Sequence, residues 1–393
     1  MYRLFLAAAL LALAAAPGAA QAKRVEIAPQ DPDWVKEIAP KRIVYSVPGM
    51  ARVVARKNMT YKRAAGVELK MDAYSAPGAR RGVRRPAVLF IHGGRVPADL
   101  RTTPKDWGAF VSLAQLAAAS GFVGVTFNHR FYAWESLADS QADVLDAVAY
   151  VREHADALGV DRNRIVLWTV SAGSIFLSRP LREAPPYLRC IVAYYPEMDL
   201  QSERASAPAS VSDETLREFS PVYQLGQNSR GVPPIFIARA GLDDAGVNAG
   251  VGRFVEAALS KNVTLDLVNH ATGHHGFDTE DDDERSREII RQTVEFIKSH
   301  TGQTANTLDA DAGGHRLHML VEGRDAPAVV FESGLGDGLE SWAKVQPEVA
   351  KFTRAVAYDR AGYVQRDEPE VVIEAIRQVF ESARRKGGHD WRR

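Results

Sequence analysis

Arg164-Ile-Val-Leu-Trp-Thr-Val-Ser171-Ala172-Gly173-Ser174 is the stretch from which the rest of this chain is read. A run of strand-forming residues ends in a turn of small residues with a serine at its tip. A sharp strand-to-helix turn of this kind, a nucleophile elbow, exposes a serine Oγ at the carboxyl edge of a sheet. The usual pattern is Gly-x-Ser-x-Gly, and Thr169 occupies the first glycine position here. A serine alone is a poor nucleophile. The elbow therefore needs a base, an acid to orient that base, and oxyanion donors elsewhere in the chain.

Outward from the elbow, β-branched apolar runs alternate with helical periodicity from about residue 60 to about residue 300. Strands are expected at 86–92, 122–128, 164–169, 190–195, 234–239 and 263–268. Helices are expected at 104–120, 140–158, 250–260 and 283–300, with a short one from Ser174. Such alternation predicts an α/β fold with a mostly parallel sheet covered by helices on both faces. Ligands of these sheets bind at the carboxyl ends of the strands. Residues 23–60, with prolines at 29, 32, 40 and 48, read as an irregular lead-in with one short strand. Between Asp199 and Pro233 the regularity fails, leaving either a pocket wall or lid, or an inert surface excursion.

Bulk properties bound the answer. The first 22 residues carry Arg3, an apolar run from Leu4 to Ala16, and Ala20-Gln-Ala22. This reads as a secretory signal peptide, with a secreted or periplasmic mature protein. The apolar run is short of the ~20 residues a span needs, and no later segment supplies one. Lys+Arg and Asp+Glu balance at 49 each, so no basic field recruits nucleic acid. Cys190 is the only cysteine, so no internal disulfide forms, and its strand-like surroundings suit a buried small hydrophobe.

A second loop completes the oxyanion site. Val88-Leu-Phe-Ile-His92-Gly93-Gly94-Arg95 is a strand running into a His-Gly-Gly turn, and glycines let backbone N–H groups approach a bound oxygen closely. The amide of Ala172, with that of Gly94 or its neighbour Gly93, is placed to stabilise a developing oxyanion.

These residues carry a family resemblance. Residues from about 60 to 300 resemble the α/β-hydrolase fold, in its acetyl-esterase, feruloyl-esterase and dienelactone-hydrolase-like branch. The resemblance rests on Phe90-Ile-His-Gly-Gly94, Asp161–Gly173, Ala240-Gly-Leu-Asp-Asp-Ala-Gly-Val247 and Gly273-His-His-Gly-Phe277. It implies an acid in a Gly-x-x-Asp-x-x-Val pattern, which maps to Gly241, Asp244 and Val247, with Asp243 as rival. It implies a base in His275-Gly276-Phe277, with His274 as rival. The chain order Ser171, Asp244, His275 is the order this fold uses. Each of the three follows an expected strand, so all reach one sheet edge. The implied activity is hydrolysis of carboxylic esters, short acyl esters or acetylated or feruloylated carbohydrate, through an acyl-enzyme and with no cofactor. An amide hydrolase with the same triad, or a binding protein without catalysis, are the alternatives.

Other clusters carry less. His270, His274, His275 and Asp278 match no metal-ligand spacing. Glu280-Asp-Asp-Asp-Glu284 is expected to serve the start of a helix rather than a cation. His129 and Arg130, with Phe131, Tyr132 and Trp134, are expected to pack or border the pocket.

After a polar linker at 301–312 the pattern restarts. Strands are expected at 315–322, 328–332 and 353–358, a helix at 339–351, and a terminal amphipathic helix at 371–384. Ser333–Gly338 and Tyr358–Tyr363 resemble the opening of a second α/β-hydrolase, of the lipase or epoxide-hydrolase-like branch, in an incomplete segment over 313–393. No second elbow follows, so no catalysis is assigned to it. A fragment this small is poorly buried alone, and its open sheet edge leaves pairing with a second copy as a homodimer in play.

Overall fold

The structure, a computed structural model, describes residues 31–77, 84–226, 231–302 and 307–358, apart from 313–314, 324–326, 333–338, 343–344 and 351–352. The expected signal peptide, the expected helix at 371–384 and the Ser333–Gly338 loop lie outside the described residues.

Eight strands build the main sheet: β1 (Val54–Ala64), β2 (Val67–Ser75), β3 (Arg85–Ile91), β4 (Val123–Phe127), β5 (Val160–Val170), β6 (Leu188–Tyr194), β7 (Ile235–Ala240) and β8 (Leu265–His270). Their order is β1-β2-β4-β3-β5-β6-β7-β8. The β1/β2 and β2/β4 pairs are antiparallel, and every pair from β4 to β8 is parallel. Side chains of period two divide the core between the two faces. Ala87, Leu89 and Ile91 of β3 join Ile165 and Leu167 of β5 against the helices Leu137–Glu153 and Ala245–Ser260. Val88 and Phe90 join Val166 and Trp168 on the other face, against Gly108–Ala119 and Glu284–Thr301. Each Leu, Ile or Phe fully buried this way contributes about 1.5–3 kcal/mol relative to exposure. Gly124 permits a close approach of helix Gly108–Ala119 to β4, since a Cβ there would lie 2.5 Å from the Ala114 carbonyl oxygen.

Two regions differ from the sequence expectation, and a third is decided between its two readings. Residues 54–75 form a long antiparallel hairpin, where the sequence suggested one short strand within 23–60 and none at 61–75. The described part of the segment 199–233 is irregular, as expected, but not inert: Leu200, Val211, Leu216 and Phe219 are buried in the core, and the short helix Asp213–Glu218 is capped by Ser212 Oγ on the Thr215 amide. The linker at 301–312 is corrected in part. Helix 284–301 stops at Gly302 in the left-handed region, but Thr307–Ala312 is a strand, β9, paired antiparallel with β10 (His315–Glu322). Backbone pairing needs no apolar pattern, so the polar Thr-Leu-Asp-Ala-Asp-Ala run concealed it.

With β11 (Ala328–Phe331) and β12 (Arg354–Tyr358), these strands make a separate sheet in the order β11-β12-β10-β9. Its core is small: Phe331, Ala355 and Ala357, with Trp342, Val349 and Ala350 against them. Cys190 is buried in the main sheet, and burial pushes its thiol pKa up, which suits packing and not reactivity. Among the described residues no helix is long and apolar enough to cross a membrane.

Candidate active site

Strand β5 ends at Val170 in extended backbone, and Ser171 reverses the chain with φ +53° before the 3-10 helix Ser171–Leu177. A non-glycine residue in the left-handed region is strained, and the surrounding packing holds it there. Two glycines allow that packing. A Cβ at Gly173 would lie 2.6 Å from the His92 carbonyl oxygen, and one at Gly93 would lie 2.7 Å from Ser171 Cβ and 3.1 Å from the Ala172 nitrogen. The His92-Gly93-Gly94 turn and the elbow thus touch through backbone. Thr169, at the usual glycine position, is buried; its hydroxyl donates to the Val192 carbonyl (3.3 Å) and lies 3.0 Å from Ser174 Oγ. The departure from the motif is accommodated by a hydrogen bond that ties β5 to the helix after it.

His275 Nε2 lies 2.8 Å from Ser171 Oγ, and His275 Nδ1 lies 2.8 Å from Asp243 Oδ2. The acid expected at Asp244 is therefore corrected to its neighbour. Asp244 is the N-cap of helix 245–260, and its carboxylate accepts from the Gly246 amide at 2.7 Å. That capping turns its side chain away from His275. The Asp243 side chain is only 6% exposed, and its second oxygen accepts from the Asp244 amide at 2.7 Å. The acid and base loops are stitched together by Gly241 N–H to the His270 carbonyl (2.8 Å) and Leu242 N–H to the Gly273 carbonyl (2.9 Å). His274 points elsewhere, with Nδ1 2.9 Å from Asp281 Oδ1. His270 is buried beside Ser286 and Asp283, so the clustered histidines have three separate sets of partners. Asp283 caps helix 284–301 through the Ser286 amide at 2.7 Å, the role expected for an acid at that helix start.

The residues expected on the oxyanion side lie beside Ser171. Ala172 is the second residue of its helix, where amides lack an intrahelical acceptor. Gly94, at φ +73°, lines the same cavity, and its amide donates no hydrogen bond among the described residues. Beneath this loop the His92 and His129 rings stack at 3.7 Å, with 12° between planes. Burial holds His92 neutral, with its pKa down at about 4, and lowers His129 as well. The pair is a neutral platform for the glycine turn, and His129 Nε2 donates to the His92 carbonyl at 3.2 Å. Arg130 packs as expected, chelated by the buried Asp143 at 2.8 Å through both Nε and Nη2.

A cavity of about 200 Å³ opens at Ser171. Phe131, Trp134, Ile175 and Leu200 supply apolar wall; Arg95, Glu197, Glu203 and Tyr195 supply polar groups. Leu200 and Glu203 come from the irregular segment, which is a wall of the site. The sequence reading singled out neither Glu197 nor Tyr195; only their place just after β6, at the functional edge of the sheet, signals them. Tyr195 packs its ring 4.6 Å from that of His275, and its hydroxyl donates to Asp278 Oδ1 at 2.7 Å. Burial raises the Asp278 pKa to about 6 against a model-compound value of 3.8. The folded state thus binds a proton more tightly than the unfolded chain, so this group's stability contribution falls as pH rises from about 4 through 6. Asp278→Asn removes that loss. Urea unfolding is expected to show the variant gaining on the parent by about 3 kcal/mol between pH 4 and pH 8, and a difference independent of pH would contradict the assignment.

A family model described as BD-FAE matches residues 71–178, a span that holds Gly93, Gly94 and the elbow and ends before Asp243 and His275. No curated protein matches the chain. Among solved structures, it is similar to esterase Est2 of the Planctomycetes species Thermogutta terrifontis in its native form. Identity there is 21%, with 64% of this chain and 94% of that one covered at a TM-score of 0.52. The butyrate-bound form gives 23% identity, coverage of 64% and 95%, and a TM-score of 0.52. The form phosphoramylated by tabun gives 21% identity, coverage of 65% and 96%, and a TM-score of 0.52. The strand order, the elbow and these likenesses agree: the chain has the α/β-hydrolase fold.

Proposed function

We propose that the protein is a serine hydrolase that cleaves carboxylic esters through an acyl-Ser171 intermediate. The observation that carries this reading is the relay at the mouth of a cavity, with Ser171 Oγ 2.8 Å from His275 Nε2 and His275 Nδ1 2.8 Å from Asp243 Oδ2. His275 Nε2 takes the hydroxyl proton as Ser171 Oγ attacks the ester carbonyl carbon. The carbonyl oxygen becomes an oxyanion facing the Ala172 and Gly94 amides. Collapse breaks the bond to the alcohol oxygen, which leaves with the proton from His275. Water, deprotonated by His275, then attacks the acyl carbon; the proton returns to Ser171, and the acid is released. Asp243 stays ionised throughout, fixing the tautomer that presents Nε2 to Ser171.

The cavity is smaller than the ~300–1,000 Å³ of most ligand pockets, which favours short acyl groups. The described propionate- and butyrate-bound forms of the Thermogutta esterase support the same choice. Export belongs to this reading and rests on the sequence of residues 1–22; N-terminal sequencing of the mature protein tests it. The activity is tested with p-nitrophenyl acetate and butyrate. Hydrolysis is expected for the parent and a loss of at least about 10⁴-fold for Ser171→Ala. Equal rates in the two proteins would overturn the proposal.

A further inference from the structure

We infer that Glu197 is a specificity-determining residue: its carboxyl group, on the cavity wall beside Ser171, receives a hydroxyl group of the bound ester. This rests on the esterase reading and names a feature of the substrate. Glu197 follows β6 by three residues, and its amide donates to the Ser171 carbonyl at 3.3 Å, which pins it to the elbow. The residue is 6% exposed and lines the cavity. Oε1 accepts from the Asp199 amide at 3.1 Å, and the carboxyl makes no other hydrogen bond among the described residues. No cation is committed to it. The nearby Arg253 guanidinium is bound to Asp199 Oδ2 at 2.7 Å.

The other polar groups of the cavity have partners of their own. Ser171 and His275 form the relay, and Tyr195 donates to Asp278. Arg95 lies over the Trp134 ring at 4.8 Å, and Glu203 Oε2 accepts from Ser206 Oγ at 2.7 Å. Arg95 is exposed and Glu203 half-buried, whereas Glu197 is the buried carboxyl group of the cavity with hydrogen-bonding capacity to spare. A polar atom that a bound ligand covers without supplying a partner is unfavourable, so a ligand that supplies one is favoured over an analogue that does not.

The state of Glu197 sharpens the discrimination. Burial, opposed by the hydrogen bond from the Asp199 amide and by Arg253 and reinforced by the charges of Glu203 and Asp199, brings its pKa up to about 7; Arg95 and His275 line the same cavity. Protonated, it tolerates an apolar ester; ionised, it disfavours one strongly, yet it still accepts from a hydroxyl. The preference for a hydroxylated substrate therefore grows as pH rises through neutrality.

The test compares kcat/KM at pH 6 and pH 8 for two matched pairs. p-Nitrophenyl 3-hydroxybutyrate against the butyrate probes the acyl side, and glyceryl monobutyrate against propyl butyrate probes the alcohol side. In the parent, one pair is expected to favour the hydroxylated member by about 10-fold or more, with a larger ratio at pH 8. Glu197→Leu should bring that ratio to near unity. Glu197→Gln keeps the volume and the bond to Asp199, and should leave a ratio that no longer changes with pH. Ratios unmoved by both substitutions, or no preference in either pair, would overturn the inference. If the parent turned over none of the four esters, the esterase reading itself would fall, and the inference with it.

Discussion

Asp243→Asn is expected to lower kcat for a p-nitrophenyl ester by about 10⁴-fold, whereas Asp244→Asn should leave it within about 2-fold. The two residues are neighbours in sequence, but the fold gives them separate tasks. Asp243 holds His275 Nδ1 at 2.8 Å with a nearly buried carboxylate. An amide in its place can present its NH₂ to Nδ1, which selects the tautomer that cannot accept the Ser171 proton. Asp244 caps helix 245–260 through Gly246. Asparagine is nearly as good a cap as aspartate, so its substitution is mild; Asp244→Ala should cost about 1 kcal/mol of stability and little activity. Steady-state kinetics and urea unfolding of the three variants check both halves. A large kcat loss in Asp244→Asn with an active Asp243→Asn would reverse the assignment.

Gly93→Ala is the second large effect. The added methyl would stand 2.6 Å from the Val170 carbonyl oxygen, 2.7 Å from Ser171 Cβ and 3.1 Å from the Ala172 nitrogen. All three belong to the elbow, so relieving the clash displaces Ser171 or the Ala172 amide, the nucleophile and an oxyanion donor of the proposed mechanism. A displacement of about 1 Å costs on the order of 10²-fold in rate, and loss of an oxyanion donor about 10²–10³-fold. We therefore expect kcat to fall by about 10²–10³-fold in the folded fraction of Gly93→Ala. Gly94→Ala is the contrast: nothing lies within 4 Å of its Cβ, but φ is +73°. Its penalty is backbone strain, read mainly as lower thermal stability. Unchanged kcat in Gly93→Ala would show that the two loops are not in contact.

Much of this was legible in the chain because the determining signals were local. Unbroken apolar runs at Val88–Ile91 and Ile165–Trp168 report strands buried on both faces, and a serine between small residues reports the elbow. Ser171, His275 and the Gly93-Gly94 turn were placed by those signals and by the family pattern, and the structure brings them together. Asp243 was not separable from Asp244, because the decision belongs to helix capping, which a pair of adjacent aspartates does not disclose. The β1/β2 hairpin hid because β1 is an edge strand with a largely exposed pattern. Leu200 and Glu203 hid in an aperiodic segment whose few apolar residues are spent on the core. Glu197 carries no motif, and its environment exists only once β6, the elbow and helix 245–260 have met.

The most direct measurement is intact-mass and peptide mapping of the protein after exposure to a fluorophosphonate. The relay predicts a single covalent adduct on Ser171, absent in Ser171→Ala and formed much more slowly in His275→Ala. No adduct, or an adduct on another residue, would contradict the assignment of Ser171 as an activated nucleophile.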